Sequence, residues 1–310
     1  MGGLVREVRT VARGWRWTHR PLVPRSVAPL EPEHREYATA WARTPGARTA
    51  RAAIQRGLLA PLIRFEVDVR VGGLDTLDAV VPPVIFVANH TSHLDAPLVV
   101  TSLPEAWRER TAVGAAADYF FDVWWRAAAT ALVFNAFPVE RAGARRSTWL
   151  ARELLEQGWN LVVFPEGTRS RDGWIGEFRL GAARLAIEND VPVVPIAVRG
   201  SYQAMPRGAA WPVKGRRPVN VRFGRPVRPM PGEEPSEFND RVRAGLAVAL
   251  DEESTTWWDA IRREARGETP AGSGPDAARW RRIWEASRQF ERPGRAPAWP
   301  SPKRAAGARR

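Results

Sequence analysis

Three uninterrupted apolar runs limit what this chain of 310 residues can fold into. They span Val84–Ala88, Trp159–Phe164 and Val193–Val198. Short apolar runs without polar alternation are typical of strands that are buried on both faces of a sheet. Segments with helical periodicity lie between the runs, so the sequence predicts an α/β fold in which a mixed, mostly parallel sheet is flanked by helices.

Weaker signals predict the neighbouring elements. Phe65–Val71 alternates apolar and polar residues, which is the pattern of a half-buried strand, and Val219–Phe223 resembles a further strand. The predicted helices are Ala96–Ser102, Tyr119–Ala129, Arg145–Gln157, Gly181–Glu188 and Ser236–Arg266.

The net charge of +13 divides the chain into regions, because it is concentrated at the two ends. Residues 1–60 carry +7, residues 269–310 carry +7, and the residues between them sum to −1. The sequence therefore predicts a basic helical region at 1–62, the α/β domain at 63–266, and a basic segment at 267–310. The last segment is expected to contain a linker, an amphipathic stretch with several tryptophans, and a disordered tail.

The basic N-terminal region contains a candidate membrane-surface helix. Leu4, Val8, Val11 and Trp15 recur at helical spacing with arginines between them, as in helices that lie in a membrane interface. The alternative is that these helices only pack on the core. No apolar stretch reaches the roughly 18–20 residues that span a bilayer. Peripheral attachment is therefore expected.

A polar cluster follows the first buried run and is the main candidate for catalysis. Asn89, His90, Ser92 and Asp95 lie between that run and a predicted helix. If the intervening residues form a turn, Asp95 can accept a hydrogen bond from one imidazole nitrogen of His90 and leave the other free to take a proton. The alternative is a histidine that only caps the helix. The chain has no cysteine, which excludes thiolate chemistry and a disulfide framework.

A second cluster, Phe164–Ser170, follows another buried run. Gly167 permits a tight turn whose backbone N–H groups can hold an anion, and Arg169 can donate two hydrogen bonds to a phosphate. Arg141 follows a third apolar segment, Phe137–Val139, although a single arginine after a strand is more often only a solvated end.

These blocks, in this order, resemble the glycerolipid acyltransferase family, whose best-known members are the PlsC-type 1-acylglycerol-3-phosphate acyltransferases. His90 and Asp95 match the family's His-x₄-Asp block, Arg141 ends the second block, and Phe164–Ser170 matches the third in full. Val191–Ala197 matches the fourth block, and the segment Phe178-Arg-Leu-Gly181 is also similar. The resemblance covers about residues 65–228 and implies the glycerolipid acyltransferase fold.

The resemblance implies an acyl transfer from an acyl thioester to a lysophospholipid, most readily 1-acyl-sn-glycerol-3-phosphate, giving phosphatidic acid. His90 acts as general base on the acceptor hydroxyl, and Asp95 orients it. The residues expected to hold the acceptor's phosphate region are Arg141, Glu166, Gly167, Thr168 and Arg169. Within that group Glu166 is expected to organise the arginines, and Asn89 and Ser92 are expected to support the turn.

No metal and no bound organic cofactor is expected; acyl-coenzyme A or acyl carrier protein serves as co-substrate. The expected partners are the lysophospholipid, the acyl donor and an anionic membrane surface, without nucleic acid. The expected location is peripheral, on the cytoplasmic face of the cell membrane.

Three alternatives stay open at this point. A different lipid acceptor is the first, because His93 stands where the family often has an aromatic residue. A metal-dependent hydrolase could use His90, His93 and Asp95, but only His19 and His34 remain to complete a histidine-rich site. A binding module for nucleic acid or membrane would suit the basic ends but leaves both polar clusters without a role.

Overall fold

The structure, a computed structural model, describes residues 38–140 and 145–288. Its described strands form one sheet in the order β1-β7-β6-β2-β5-β3-β4. The strands are β1 (Asp68–Gly72), β2 (Ile85–Ala88), β3 (Thr111–Ala116), β4 (Phe137–Val139), β5 (Asn160–Val163), β6 (Val193–Arg199) and β7 (Pro218–Phe223). Within the described sheet, β6 and β7 pair antiparallel and the other neighbouring strands pair parallel. The predicted mixed, mostly parallel sheet is confirmed.

Helices connect and cover these strands. The first is almost continuous: α1 (Pro45–Ile54), a π-helical turn (Gln55–Leu59) and α2 (Ala60–Glu66) follow one another. The remaining α-helices of the described chain are α3 (Asp95–Ser102), α4 (Glu105–Glu109), α5 (Ala117–Phe120), α6 (Trp124–Phe134), α7 (Arg145–Glu156), α8 (Gly181–Asn189), α9 (Ser201–Ala204), α10 (Pro235–Ser254), α11 (Trp257–Arg266) and α12 (Arg279–Arg288). Short 3₁₀ turns lie at Ala40–Arg43 and Leu74–Ala79.

The core lies on both faces of the sheet, which explains the uninterrupted apolar runs. In β2, Phe86 and Ala88 point into one cluster, where they meet side chains of α3 such as Leu98. Ile85 and Val87 point into the other cluster, which includes side chains of α7, α8 and α10. Because each face of β2 is covered, every position of this strand has to be apolar.

Strand β2 lies in the middle of the sheet, between β5 and β6. The chain leaves it at Ala88 and enters the loop with Asn89, His90 and Asp95. The carboxyl end of β5 lies at the same sheet edge, because the two strands are parallel. Sites in sheets of this kind form where loops leave neighbouring parallel strands, so both polar clusters reach one edge.

Several predicted boundaries differ from the structure. The alternation from Phe65 does not belong to a strand, because α2 continues to Glu66 and the amide of Val67 donates to the carbonyl of Ile63. The strand begins only at Asp68, beside β7. The helix predicted over Tyr119–Ala129 is interrupted between α5 and α6, and the region Ser236–Arg266 is divided at Thr255 and Thr256.

The two ends of the chain stand differently. The amphipathic segment from Leu4 to Trp15 lies outside the described residues. The predicted linker after Arg266 contacts the domain, because the carbonyl of Gly272 accepts a hydrogen bond of 3.0 Å from the amide of Ile175. The division of the chain at 62 and 266 stays a prediction. In the described part of the chain, none of the helices has the length and apolar character that crossing a bilayer requires.

Candidate active site

The loop after β2 is attached to the sheet through Asn89. Its amide nitrogen donates to the carbonyl of Val198 and its amide oxygen accepts from the N–H of the same residue, both at 2.8 Å. Asn89 thus continues the pairing of β2 with β6 through its side chain. The direction in which the chain enters the polar loop is fixed by these two bonds.

His90 and Asp95 come together across a tight turn, as the sequence requires for a dyad. The amide of Asp95 donates to the carbonyl of Ser92 at 3.4 Å, and Nδ1 of His90 lies 2.9 Å from Oδ2 of Asp95. The same oxygen accepts from the backbone N–H groups of Thr91 at 2.6 Å and of Ser92 at 2.8 Å. Asp95 is fully buried at the first position of α3.

This geometry sets the tautomer of His90. An ionised carboxylate only accepts hydrogen bonds, so the proton lies on Nδ1 and Nε2 is the basic nitrogen. The ring of Phe164 stacks on the imidazole with centroids 4.3 Å apart and fixes the ring plane. The His90 side chain is 21% exposed, so a substrate can reach it. The arrangement can therefore take a proton from a hydroxyl group.

Ser92 and Thr91 support the turn from below. The hydroxyl of Ser92 donates to the carbonyl of Met205 at 2.8 Å, and the hydroxyls of Thr91 and Ser201 lie 2.8 Å apart. All three side chains are buried. The loop after β6 therefore holds the catalytic candidate loop in place, a contribution for which the sequence gives no recognisable signal.

Glu166 links the two polar clusters. Its Oε1 accepts from the amide of His90 at 2.7 Å, and its Oε2 accepts from the amide of Gly176 at 2.8 Å. The bonds described for this carboxylate therefore lead to backbone amides, whereas the sequence predicts an organiser of arginines. Ser170 adds a second link, because its amide donates to the carbonyl of His90 at 2.7 Å.

Gly167 forms the turn of the second cluster. Its φ of +66° is unfavourable for other residues, and a Cβ at this position would lie 2.8 Å from Nε of Arg179. Thr168 is exposed beside it. The carbonyl of Arg169 accepts from the guanidinium of Arg207 at 3.1 Å. The turn is thus surrounded by arginines.

These cations lie close to the dyad. The pKa of His93 is lowered to about 4, mainly by burial and next by the charge of Arg169, with further contributions from His90 and Arg207. His93 is therefore neutral at neutral pH. Its ring stacks near Tyr119 with centroids 6.0 Å apart. Among the described residues no group of His, Asp and Glu side chains has the arrangement of a metal site.

The structure brings most, not all, of the sequence-predicted site residues together. Arg141 lies outside the described residues, two positions beyond the end of β4. Arg179 and Arg207 were not assigned to the site from sequence. The segment Phe178-Arg-Leu-Gly181 is the signal that could have indicated Arg179; no motif marks Arg207.

The buried Glu166 predicts a pH dependence of stability. Burial raises the pKa of this carboxyl from 4.5 to about 7, against the opposing effect of the two amide hydrogen bonds. The folded state therefore keeps a proton that the unfolded chain releases at lower pH, and the free energy of unfolding falls as pH rises from about 4.5 to about 7. In Glu166→Gln this component is absent, so the stability of the native protein relative to the variant falls by about 3 kcal/mol across that window.

Urea unfolding at half-unit pH intervals measures this difference. Glu177→Gln is the matched control, because Glu177 is an exposed glutamate in the same loop. Its pH dependence should follow that of the native protein. Parallel curves for the native protein and Glu166→Gln would contradict the assignment.

Comparison with known proteins gives a consistent family. Residues 68–199 match the family model described as Acyltransferase. The chloroplast 1-acyl-sn-glycerol-3-phosphate acyltransferase of Arabidopsis thaliana is 28% identical over 186 residues, covering 59% of this chain and 49% of the relative. The corresponding protein of Brassica napus is 31% identical over 190 residues, covering 60% and 52%. The chain thus spans about half the length of the curated relatives it matches.

Among solved structures, the chain is similar to the 1-acyl-sn-glycerophosphate acyltransferase PlsC of Thermotoga maritima. The identity is 26%, the TM-score is 0.49, and the match covers 65% of this chain and 82% of the other.

Proposed function

This chain belongs to the Acyltransferase family through residues 68–199, and on that premise we propose that it transfers a fatty acyl group from an acyl thioester to a lysophospholipid hydroxyl. The single observation that carries the proposal is the His90–Asp95 pair, joined at 2.9 Å beside a turn rich in arginines. The preferred acceptor is 1-acyl-sn-glycerol-3-phosphate, the substrate in the names of the relatives. The product is then phosphatidic acid.

The proposed reaction uses no resident cofactor. Nε2 of His90 takes the proton of the acceptor hydroxyl while its oxygen attacks the thioester carbonyl carbon. The tetrahedral intermediate then collapses, the carbon–sulfur bond breaks, and the thiolate takes the proton from His90. Asp95 keeps Nδ1 protonated and stabilises the imidazolium that forms between these steps. Acyl-coenzyme A and acyl carrier protein are both suitable donors.

The acceptor phosphate is proposed to lie against Arg169, with Arg179 and Arg207 nearby and Arg141 as a further candidate. The influence of Arg169 on the pKa of His93 supports its position near the dyad. A phosphate at this point would meet guanidinium groups, which bind phosphate with two parallel hydrogen bonds. Glu166 and Gly167 then shape the turn, and the exposed Thr168 lies at its rim.

Attachment to the cytoplasmic face of a membrane is part of the proposal, since the acceptor is a lipid. Leu58, Leu62 and Phe65 are exposed at helical spacing along the π-helical turn and α2. Positions i, i+4 and i+7 share one helix face, so these side chains offer an apolar stripe beside Arg56 and Arg64. Such a face suits a peripheral contact with an anionic lipid surface.

An acceptor panel tests the function. Purified protein is assayed with acyl-coenzyme A and acyl carrier protein against 1-acylglycerol-3-phosphate, lysophosphatidylglycerol and lysophosphatidylcholine. We expect kcat/KM for the phosphate monoester to be at least about tenfold higher than for the others, since charge-assisted hydrogen bonds contribute about 1.5–3 kcal/mol each. Arg169→Ala should raise the KM for that acceptor by about 10-fold or more.

Arg184→Ala is the matched control, because Arg184 is an exposed arginine on α8. Its KM should remain that of the native protein. Transfer to lysophosphatidylcholine with none to 1-acylglycerol-3-phosphate would overturn the acceptor assignment. Absence of transfer to every acceptor, with either donor, would overturn the function.

A further inference from the structure

The C-terminal helix α12 has two faces with different chemistry. Trp280 is 72% exposed and Trp284 is 51% exposed, and their i, i+4 spacing places them on one face. Arg279 and Arg281 are exposed on the same helix. On the opposite side, Ala286 is buried against the domain. The outer face is therefore aromatic and cationic.

Arg282 connects the inner face of α12 to the loop Ser170–Gly176. Its Nε donates to Oδ2 of Asp172 at 2.6 Å. Its Nη1 and Nη2 donate to the carbonyls of Pro275 and Ser273, both at 2.8 Å. The carbonyl of Arg282 in turn accepts from the indole N–H of Trp174 at 2.9 Å. Both the side chain and the backbone of this residue thus hold the loop.

The glycine of the loop fits closely beneath the helix. A Cβ at Gly173 would lie 3.1 Å from Cβ of Ala286 and 2.9 Å from the ring of Tyr202. The side chain of Gln203 donates to the carbonyl of Ala286 as well. The helix therefore has a defined seat on the domain and is more than an extension of the chain.

The same loop is bonded to the dyad. The amide of Ser170 donates to the carbonyl of His90, and the amide of Gly176 donates to Glu166, whose other oxygen accepts from the amide of His90. Asp172, the partner of Arg282, lies between these two attachments. Displacement of α12 would therefore release the segment that holds the backbone of His90 from two sides.

We propose that α12 binds an anionic lipid surface through its Trp280 face, and that Arg282 positions the loop Ser170–Gly176 and with it His90. This proposal rests on the proposed function, because it assigns lipid binding to the surface that also supplies the acceptor. Tryptophan is enriched at membrane–water interfaces, and exposed arginines gain energy near anionic headgroups. The occupant of this face is the bilayer; the acidic carrier protein is the competing occupant that the test separates.

Vesicle partition tests the lipid contact. Full-length protein is titrated with vesicles of phosphatidylglycerol and phosphatidylcholine, and with pure phosphatidylcholine. We expect Trp280→Ala/Trp284→Ala to weaken binding to the anionic vesicles at least about tenfold. Trp149→Ala, which removes a comparably exposed tryptophan from α7, should bind within about twofold of the native protein. Unchanged partition of the double variant would overturn the lipid contact.

Activity in two settings separates the lipid contact from carrier binding. The double variant should lose activity on acceptor embedded in anionic vesicles, and should keep it on a short-chain acceptor that is monomeric in solution. A loss confined to reactions with acyl carrier protein, in solution, would assign the face to that protein and overturn the proposal. If the native protein transfers no acyl group, the proposed function fails, while vesicle partition still decides whether α12 binds lipid.

Arg282 is tested as a positioning residue. Arg282→Ala should lower kcat at least about tenfold on both the soluble and the vesicle acceptor, with KM for the soluble acceptor changed less than threefold. Arg282→Lys, which can still reach Asp172, should restore part of kcat. Hydrogen exchange of the Ser170–Gly176 amides should accelerate in Arg282→Ala. Native kcat and native exchange in that variant would overturn the role of Arg282.

Discussion

Replacement of His90 by alanine is expected to lower kcat for acyl transfer by a factor of about 10²–10⁴, the range typical of a lost general base. The imidazole is the group that takes the hydroxyl proton, and its 21% exposure makes it accessible to the acceptor. KM should change little, because the phosphate contacts are made by arginines. Single-turnover kinetics with a labelled acyl donor measure the chemical step directly.

His93→Ala separates the dyad from a metal-assisted mechanism. His93 is the neighbouring histidine, and its pKa of about 4 leaves it neutral. The dyad mechanism predicts that His93→Ala retains kcat within about tenfold of the native value, whereas a metal site would lose both ligands equally. Equal losses in the two variants, together with loss of activity on chelation, would contradict the dyad. Full activity of His90→Ala would contradict it outright.

Asp95→Asn is expected to lower kcat by about 10²–10⁴ while leaving the protein folded. The amide oxygen of asparagine can still accept from the backbone N–H groups of Thr91 and Ser92, so the turn is retained. The negative charge that stabilises the protonated imidazole is lost, and an amide N–H can face Nδ1 and impose the wrong tautomer. The pH profile of kcat, measured alongside thermal unfolding, distinguishes this loss from misfolding.

Asp95→Ala provides the structural comparison for the same position. It leaves the amides of Thr91 and Ser92 buried without their acceptor, and each unsatisfied group costs about 1–3 kcal/mol. We therefore expect Asp95→Ala to be clearly less stable than Asp95→Asn although both are inactive. If Asp95→Asn retained native activity with native stability, Asp95 would only cap the helix.

The sheet and the two polar clusters could be predicted from sequence because local signals and tertiary environment agree there. Strand β2 is buried on both faces, so its run is uniformly apolar. The sequence also implied that His90 and Asp95 need a turn to meet, and the turn is present. The partners of that turn were not predictable, because Val198, Met205 and Ser201 act through a backbone or a common hydroxyl group.

The missed elements have weak local signals. Strand β3 is rich in Ala and Gly, which are poor strand formers, and β4 has three residues. Their pairing with neighbours supplies what composition does not. The opposite error occurred at Phe65, where an alternating pattern lies in a helix because the chain turns into β1 only after Val67. The role of Glu166 was misjudged for a similar reason, since amide partners leave no mark in a sequence.

The place of β1 at the sheet edge separates the unit of ancestry from the unit of folding. The family match runs from Asp68 to Arg199, yet the one strand that pairs with β1 in the described chain is β7, which begins at Pro218. Helix α10, which lies still later, covers β6 and places Phe238 and Leu246 in the core. A protein cut to the recognised segment would leave its own first strand without a neighbour. The residues that identify this molecule therefore depend on a later part of the chain, which carries no identifying motif, to become a stable body.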